Sequence, residues 1–204
     1  VTIGRSGVSV VDLTNPSAPT ELGIFNTVGE AQSVQVIDRI AYVADNHLGL
    51  RVGDLSNPLN YYELGGCDTP GLAMDVCVKD NIAYVADDEE GLRVIDVSDP
   101  RRPRELGFCD TPGWAWGVCI AGQMAYVADW DQGLRIIDIS NPASPQEVGF
   151  YSTPGYVSDV EVSGNMAYIA DWDQGLRVID VSNPASAHET GFYDIPGQAN
   201  HLCV

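Results

Sequence analysis

The chain has very few basic residues. Its 204 residues include 10 Lys and Arg against 29 Asp and Glu, which gives a net charge of −19 at pH 7, and Lys79 is its one lysine. Proteins that bind nucleic acid or an anionic membrane surface need basic side chains to face the phosphates. The composition therefore argues against both partners, and it suits an extracellular, cation-rich setting.

Three other features are missing. No apolar run reaches membrane-spanning length, no window shows a helical hydrophobic period, and no CxxC or Cys/His spacing suggests zinc. We therefore expect no direct membrane insertion and a protein built from strands.

What the chain does have is a repeat of 42 residues. The segment AYVADWDQGLRIIDISNP at 125–142 recurs with few changes at 167–184, 83–100 and 41–58, and GVSVVDLTNP at 7–16 is the tail of a fifth copy. Self-similarity at this period indicates a repeat architecture.

Within one copy, residues 113–154, four runs rich in β-branched residues are separated by turns that contain Gly, Asn, Asp or Pro. The runs 115–120, 124–129, 134–140 and 146–151 predict four strands, here named A to D in chain order. Four antiparallel strands in one repeat predict a blade of a β-propeller. A flat β-solenoid is the alternative, but its coils are shorter and usually lack three hairpin turns.

The two ends of the chain predict how the propeller closes. Five periods of 42 make 210, and the six residues absent from the 204 correspond to an A–B hairpin. The run 199–204 would then supply strand A of a blade whose other strands come from the N-terminus. We expect one β-propeller domain, residues 1–204, with five blades at 197–204 plus 1–28, 29–70, 71–112, 113–154 and 155–196. The alternative is a piece of a longer protein with seven or eight blades.

The strand-C segments carry a family resemblance. Leu-Arg-Val/Ile-Ile-Asp at 92–96, 134–138 and 176–180, the Ser-Asn/Asp-Pro that follows and the Ala-Tyr-Val/Ile-Ala-Asp before it resemble the LVIVD repeat family. The first copy departs because 8–12 lacks the Arg, and the second because Gly53 replaces a branched residue. The resemblance implies a bacterial or archaeal secreted or surface-anchored propeller. It implies no mechanism, because most such proteins have no assigned activity.

The five cysteines are predicted to be free thiols. Cys67/Cys77 and Cys109/Cys119 share a spacing of ten, but each pair would join an outermost strand to an innermost one. Three strand spacings of about 4.7 Å exceed the Cα separation of roughly 7 Å that a disulfide allows.

Residues that recur from blade to blade are interpreted as structural, since a catalytic residue would be needed only once. Arg93 of strand C is expected to lie opposite Ala86, with its guanidinium stacked on Tyr84, and the equivalent arginines are expected to do the same. The aspartates that end strand C are expected to accept turn amides. These residues are Arg51, Arg93, Arg135 and Arg177, and Asp12, Asp54, Asp96, Asp138 and Asp180.

Positions that differ between blades point to a ligand site. Strand A lines the axis, and variation at the mouth of a uniform scaffold is where a propeller would bind a ligand. We expect Trp114, Trp116 and Tyr156 to form an aromatic shelf there, suited to a carbohydrate or a protein loop; blade packing is the alternative. The candidates are Glu30, Leu72, Trp114, Tyr156 and Gln198 at the first position of strand A, Trp116 two residues after Trp114, and Trp130 and Trp172 in B–C turns on the same face.

The next strand-A position reads Ser33, Asp75, Gly117, Asp159, His201 around the ring. Asp75, Asp159 and His201 are candidates for an axial ion or water cluster. Ser33, His201 and Asp159 also have the composition of a catalytic triad, so an axial hydrolase is an alternative. We expect neighbouring blades to hold these groups beyond hydrogen-bond reach, and no nucleophile elbow accompanies them.

The acidic B–C turns predict a cation site. Asp129 and Asp131, and likewise Asp171 and Asp173, alternate in Asp-Trp-Asp-Gln-Gly strings. Alternate carboxylates in a tight turn can face one calcium ion, although Asp and Gly also serve a plain hairpin turn. Calcium is the one cofactor that the sequence suggests.

Together these features predict a non-enzymatic, extracellular or surface-associated binding or assembly module. Its expected partner is a protein or a carbohydrate. A structural subunit docked in a larger complex is the alternative.

Overall fold

The computed structural model describes residues 1–57 and 60–204, and within them the chain forms eighteen strands and one short 3-10 helix, Pro184–Ser186. The strands group into five antiparallel sheets. The first sheet holds β1 (Val8–Asp12) and β2 (Thr20–Phe25). The others are four-stranded: β3 (Ser33–Ile37), β4 (Ile40–Ala44), β5 (Leu50–Asp54), β6 (Tyr62–Cys67); β7 (Asp75–Lys79), β8 (Ile82–Ala86), β9 (Leu92–Asp96), β10 (Arg104–Cys109); β11 (Gly117–Ala121), β12 (Met124–Ala128), β13 (Leu134–Asp138), β14 (Gln146–Tyr151); β15 (Asp159–Ser163), β16 (Met166–Ala170), β17 (Leu176–Asp180), β18 (His188–Tyr193).

Each four-stranded sheet is a meander in which strands A to D pair in chain order, so one repeat makes one sheet. This confirms the predicted all-β architecture of five blades, and it excludes a solenoid, whose sheets run between repeats. None of the described residues forms a helix long and apolar enough to cross a membrane.

The core lies between neighbouring blades. Leu50 and Val52 of β5 are fully buried, and they belong to one apolar cluster with Val76 and Val78 of β7 in the next blade. Because strands B and C are apolar on both faces, each sheet must be covered on both sides, as stacking around an axis does.

A repeated contact joins each B–C turn to strand A of the following blade. The bridges are Gly4↔Ala31, Asn46↔Ala73, Asp88↔Ala115, Trp130↔Val157 and Trp172↔Ala199. The last of these places Ala199 where strand A of a further blade begins, next to the fifth blade.

The predicted closing blade is not formed as a four-stranded sheet. Thr2 pairs with Val8, and the Val1 amino group donates to the Ser9 carbonyl oxygen at 2.9 Å, so the N-terminus lies at a strand-B position. In the described chain, residues 200–204 have no strand pairing with it. The reason is that only two residues occupy the strand-B position here, whereas the complete blades pair strand A with five.

The arginine of strand C has a different partner from the one predicted. Arg93 pairs with Val85 rather than Ala86, and Tyr84 lies opposite Val94. The guanidinium carbon of Arg93 instead lies 4.7 Å from the centroid of Phe108 on strand D. The same contact recurs as Arg135–Phe150 at 5.0 Å and Arg177–Phe192 at 4.9 Å.

The aspartates that end strand C do accept turn amides, as predicted. Asp138 Oδ1 accepts from the Ser140 amide at 2.8 Å, and the same bond recurs at Asp12, Asp54, Asp96 and Asp180. Hydrogen bonds from Ser98, joined by Arg104, lower the pKa of Asp96 to about 2.

Candidate ligand-binding site

Four of the predicted aromatic residues meet on one face of blades four and five. Trp116 stacks on Trp130 with ring centroids 4.4 Å apart, and Trp130 stacks on Tyr156 at 5.0 Å. Trp172 meets Trp130 edge-on at 4.8 Å. These four rings are called the aromatic shelf below. Offset and edge-on pairs at such distances stabilise one another, so the shelf is one preformed surface.

The other predicted ligand contacts lie outside the shelf. Trp114 is 46% exposed and has no described ring contact. Glu30 lies 3.8 Å from Arg5. Leu72 and Gln198 line separate surface depressions.

The two shelf tryptophans in B–C turns have an unusual backbone. Trp130 and Trp172 adopt φ values of 47° and 34°, in the left-handed region. The equivalent residues Gly4, Asn46 and Asp88 have φ values of 58°, 51° and 52° and make the same bridge to the next blade. Gly, Asn and Asp tolerate this conformation, whereas a bulky residue is strained in it. The turn itself therefore does not require tryptophan.

A cavity of about 270 Å³ opens on the axis beside the shelf. All five strand-A segments contribute to it, and we call it the axial funnel. Its walls carry Gln32, Met74, Trp116, Ser158 and Asn200, and its floor carries Ser33, Asp75, Gly117, Asp159 and His201. Trp116 belongs to both the shelf and the funnel. Its indole nitrogen is buried and has no hydrogen-bond partner in the described structure.

The funnel floor ties neighbouring blades together. His201 Nδ1 lies 2.7 Å from Asp159 Oδ2, and the Leu202 amide donates to the same oxygen at 2.9 Å. Asp75 Oδ2 accepts from the Val118 amide of the next blade at 2.9 Å. The expectation that neighbouring blades keep these groups out of hydrogen-bond reach is therefore wrong for Asp159 and His201.

The floor does not assemble a Ser-His-Asp relay. Ser33 hydrogen-bonds the side chain of Asp75, and no bond between Ser33 and His201 is among the described contacts. Burial raises the pKa of Asp75, against the hydrogen bonds from Ser33, Val118 and Val76, and the charge of Asp159 raises it further. To act as a nucleophile, Ser33 would need a hydrogen bond to His201 as its general base, and its described partner is Asp75 instead.

A second cavity of about 420 Å³ lies beyond the floor, lined in part by Gln35, Cys77, Cys119 and Glu161. All five cysteines are free. Burial raises the pKa of Cys119 to about 12, and its thiol lies 3.7 Å from Glu161 Oε2. Because the thiolate is the reactive form, burial disfavours reaction of this cysteine at neutral pH.

The B–C turn aspartates do not pair as the calcium prediction assumed. Asp129 and Asp171 are fully buried and face into the blade, while Asp131 and Asp173 are exposed. Asp171 Oδ2 lies 3.4 Å from Arg177 Nε, as Asp129 Oδ2 lies 3.3 Å from Arg135 Nε. The described residues contain no group of three or more His, Cys, Asp or Glu that could hold a metal ion. Calcium binding stays a prediction.

The sequence interpretation missed the threonine that holds the buried aspartate in three of the blades. Thr111 Oγ1 donates to Asp129 Oδ1, and the Gly113 amide donates to Oδ2 at 3.0 Å. The same arrangement recurs as Thr27–Asp45 and Thr69–Asp87, always with a spacing of 18 residues. That spacing, constant in the sequence, was the available signal.

These buried carboxyls predict a pH optimum of stability. Burial raises the pKa of Asp129 from 3.8 to about 6, against hydrogen bonds from Thr111 and Gly113 and the charge of Arg135. Its stabilising contribution is thus complete below pH 3.8 and lost as pH rises through 6. Asp96, with its pKa lowered to about 2, contributes stability above pH 3.8 that is lost as pH falls through 2.

We therefore expect the melting temperature to rise as pH falls from 7 to about 4.5 and to drop at lower pH. Differential scanning calorimetry across this range measures it. Asp129→Asn removes one titrating group, so it should flatten the slope between pH 4 and 6. A melting temperature that rises steadily towards pH 7, or an Asn variant with the wild-type slope, would contradict this assignment.

The repeat has a known counterpart. A model of the LVIVD repeat matches residues 1–27, 28–69, 70–111, 112–153 and 154–195. The chain belongs to the LVIVD repeat family. A search of curated proteins found no match.

Solved structures share the fold of this LVIVD repeat protein. A functionally unknown protein from Desulfotomaculum acetoxidans is 14% identical with a TM-score of 0.79, and the match covers 96% of this chain and 66% of that one. The computationally designed Ika8 protein is 13% identical, with a TM-score of 0.67 and coverage of 88% and 54%. The designed Ika4 protein is 12% identical, with a TM-score of 0.65 and coverage of 77% and 94%. The chain thus spans about half of Ika8 and two thirds of the Desulfotomaculum protein.

Proposed function

We propose that the protein is a non-enzymatic, extracellular or surface-associated binding module that contacts its ligand with the aromatic shelf. The observation that carries this proposal is the left-handed backbone at Trp130 and Trp172, with φ of 47° and 34°. Three other blades make the same turn with Gly, Asn or Asp. Strain that the fold does not require is a sign of a functional position.

The distribution of charge also favours ligand binding at the face that carries the aromatic shelf. The buried arginines Arg93, Arg135 and Arg177 are 8% exposed or less and are neutralised within their blades. The B–C turns next to the shelf expose Asp131 and Asp173. An acidic, aromatic surface suits a neutral or cationic partner and repels an anionic one.

Substituting the two turn tryptophans tests the proposal. Trp130→Asn with Trp172→Asp introduces residues that other blades carry at this position, so the fold should be retained, because relief of the backbone strain opposes the loss of ring stacking. Binding should be measured on a glycan array and on an array of random peptides. We expect wild-type protein to bind members of one array, and the double variant to lose those signals about tenfold or more.

Trp114→Asn is the matched control, because Trp114 is exposed outside the shelf. It should leave binding within about twofold of wild type. Wild-type signals that survive in the double variant, or the absence of signal on both arrays, would refute a binding role for the shelf.

A further inference from the structure

We propose that the axial funnel binds the terminal ring of a neutral saccharide and that the following sugar rings lie on the aromatic shelf. The inference rests on the binding role proposed above and names the ligand class of that site. Funnel and shelf are continuous, because Trp116 lines the funnel and stacks on Trp130 at 4.4 Å. One extended ligand can therefore contact both.

The funnel offers the mixture of groups that a sugar ring needs. A pyranose presents hydroxyls that both donate and accept hydrogen bonds around its edge and C–H groups on its faces. Gln32 and Asn200 supply amide donors and acceptors, and Met74 and Trp116 supply apolar wall. Asp159 Oδ1 accepts one described bond, from the Val160 amide at 2.9 Å, and so keeps a lone pair for a ligand hydroxyl, whereas its Oδ2 is already bonded to His201 and Leu202.

The charges around the funnel restrict the ligand class further. The charge of −19 and the two floor carboxylates disfavour uronic acids and phosphates.

Size and shape favour the end of a saccharide chain. The funnel volume of about 270 Å³ has room for one ring rather than a folded peptide segment. Asp75, Asp159 and His201 line both the funnel and the second cavity, so the two cavities adjoin at this level of the axis. A saccharide chain whose other rings lie on the shelf would reach these residues with its terminal ring.

Calorimetric titration with defined probes tests the inference. The probes are glucose, galactose, mannose and N-acetylglucosamine, the β-1,4-linked tetramers of glucose and N-acetylglucosamine, and trilysine. At least one monosaccharide should bind, and a tetramer should bind about tenfold or more tightly. Raising the salt from about 0.05 to 0.5 M should leave the affinity unchanged, because the ligand is neutral.

Two kinds of variant separate the funnel from the shelf. Met74→Trp fills the funnel and should abolish binding of the monosaccharide, while Leu72→Trp, in the same blade outside the funnel, should leave it unchanged. If Met74→Trp does not fold, the double variant Gln32→Ala/Asn200→Ala replaces it. This variant removes two polar side chains from the funnel wall and should weaken monosaccharide binding about tenfold. The shelf variant Trp130→Asn/Trp172→Asp should reduce the affinity of the tetramer to that of the monosaccharide.

The outcomes distinguish this inference from the binding role itself. Saccharide binding that Met74→Trp and the Gln32/Asn200 variant leave intact overturns the funnel site. Salt-sensitive binding of trilysine without any saccharide binding, lost in the shelf variant, overturns the saccharide ligand and leaves the shelf as a binding surface. If none of these probes binds, the saccharide inference fails, and the peptide array decides whether the shelf binds a protein.

Discussion

Asp129→Ala should lower the free energy of unfolding by about 3 kcal/mol, the lower end of the range for removing one member of a buried ion pair, because Arg135 keeps Glu147 at 3.6 Å. Asp129 is fully buried, and Arg135, which lies 3.3 Å from it, is 8% exposed. The substitution also leaves the Thr111 hydroxyl and the Gly113 amide without their acceptor. At roughly 2–4 °C per kcal/mol for a chain of this size, the melting temperature should fall by about 10 °C.

Asp131→Ala is the matched control. It removes a carboxylate two residues away in the same turn, but this one is exposed. Its effect should stay within about 0.5 kcal/mol, as for most surface substitutions. Chemical denaturation of the three proteins measures both. Equal losses for the two variants would show that the buried network does not stabilise the blade.

The sequence was sufficient to predict the blades. A fixed period of 42 residues, with four β-branched runs between Gly-, Asn- and Pro-containing turns, determines strand number and order. The predicted runs 124–129, 134–140 and 146–151 overlap β12, β13 and β14 with errors of two residues or fewer. Local patterns fix local pairing, so this part of the fold could be predicted.

One residue in the turn accounts for two errors. We assumed that four residues, 130–133, connect strands B and C, whereas Ala128 pairs with Leu134 and five residues lie between them. Because side chains alternate along a strand, a shift of one residue exchanges the two faces. Because of this shift, the arginine of strand C contacts the phenylalanine of strand D and not the tyrosine of strand B. For the same reason the side chain of Asp129 faces into the blade, where it cannot join Asp131 on one cation.

The candidate site was only partly predictable. Variation between blades at the axis identified Trp116 and Tyr156, and the B–C turns on the same face added Trp130 and Trp172; the structure brings these four together. The same criterion also selected Trp114, which stays apart. Whether two rings stack depends on blade-to-blade geometry and on left-handed φ values, and neither has a signature in the periodicity.

Gly107→Ala should lower the free energy of unfolding by about 2–3 kcal/mol, because strand D packs directly on the next blade. A Cβ at Gly107 would lie 2.7 Å from the carbonyl oxygen of Pro142 and 2.8 Å from the carbonyl carbon of Ala143, and both are backbone atoms that cannot turn away. Gly65 meets the following blade in the same way, with Arg101 O at 2.8 Å. Glycine is thus required where one blade packs against the C–D turn of the next.

Gly191→Ala provides the control, at the equivalent position of the last blade. A Cβ there meets no atom within 4 Å, because β18 has no such contact with the first blade. Alanine should be neutral or stabilise by up to about 1 kcal/mol, since it lowers the entropy of the unfolded chain. Thermal melting of both variants measures these two changes in stability. If Gly191→Ala destabilises as much as Gly107→Ala, the last blade packs on the first as closely as the others do, and the ring is closed at its rim by the same contact.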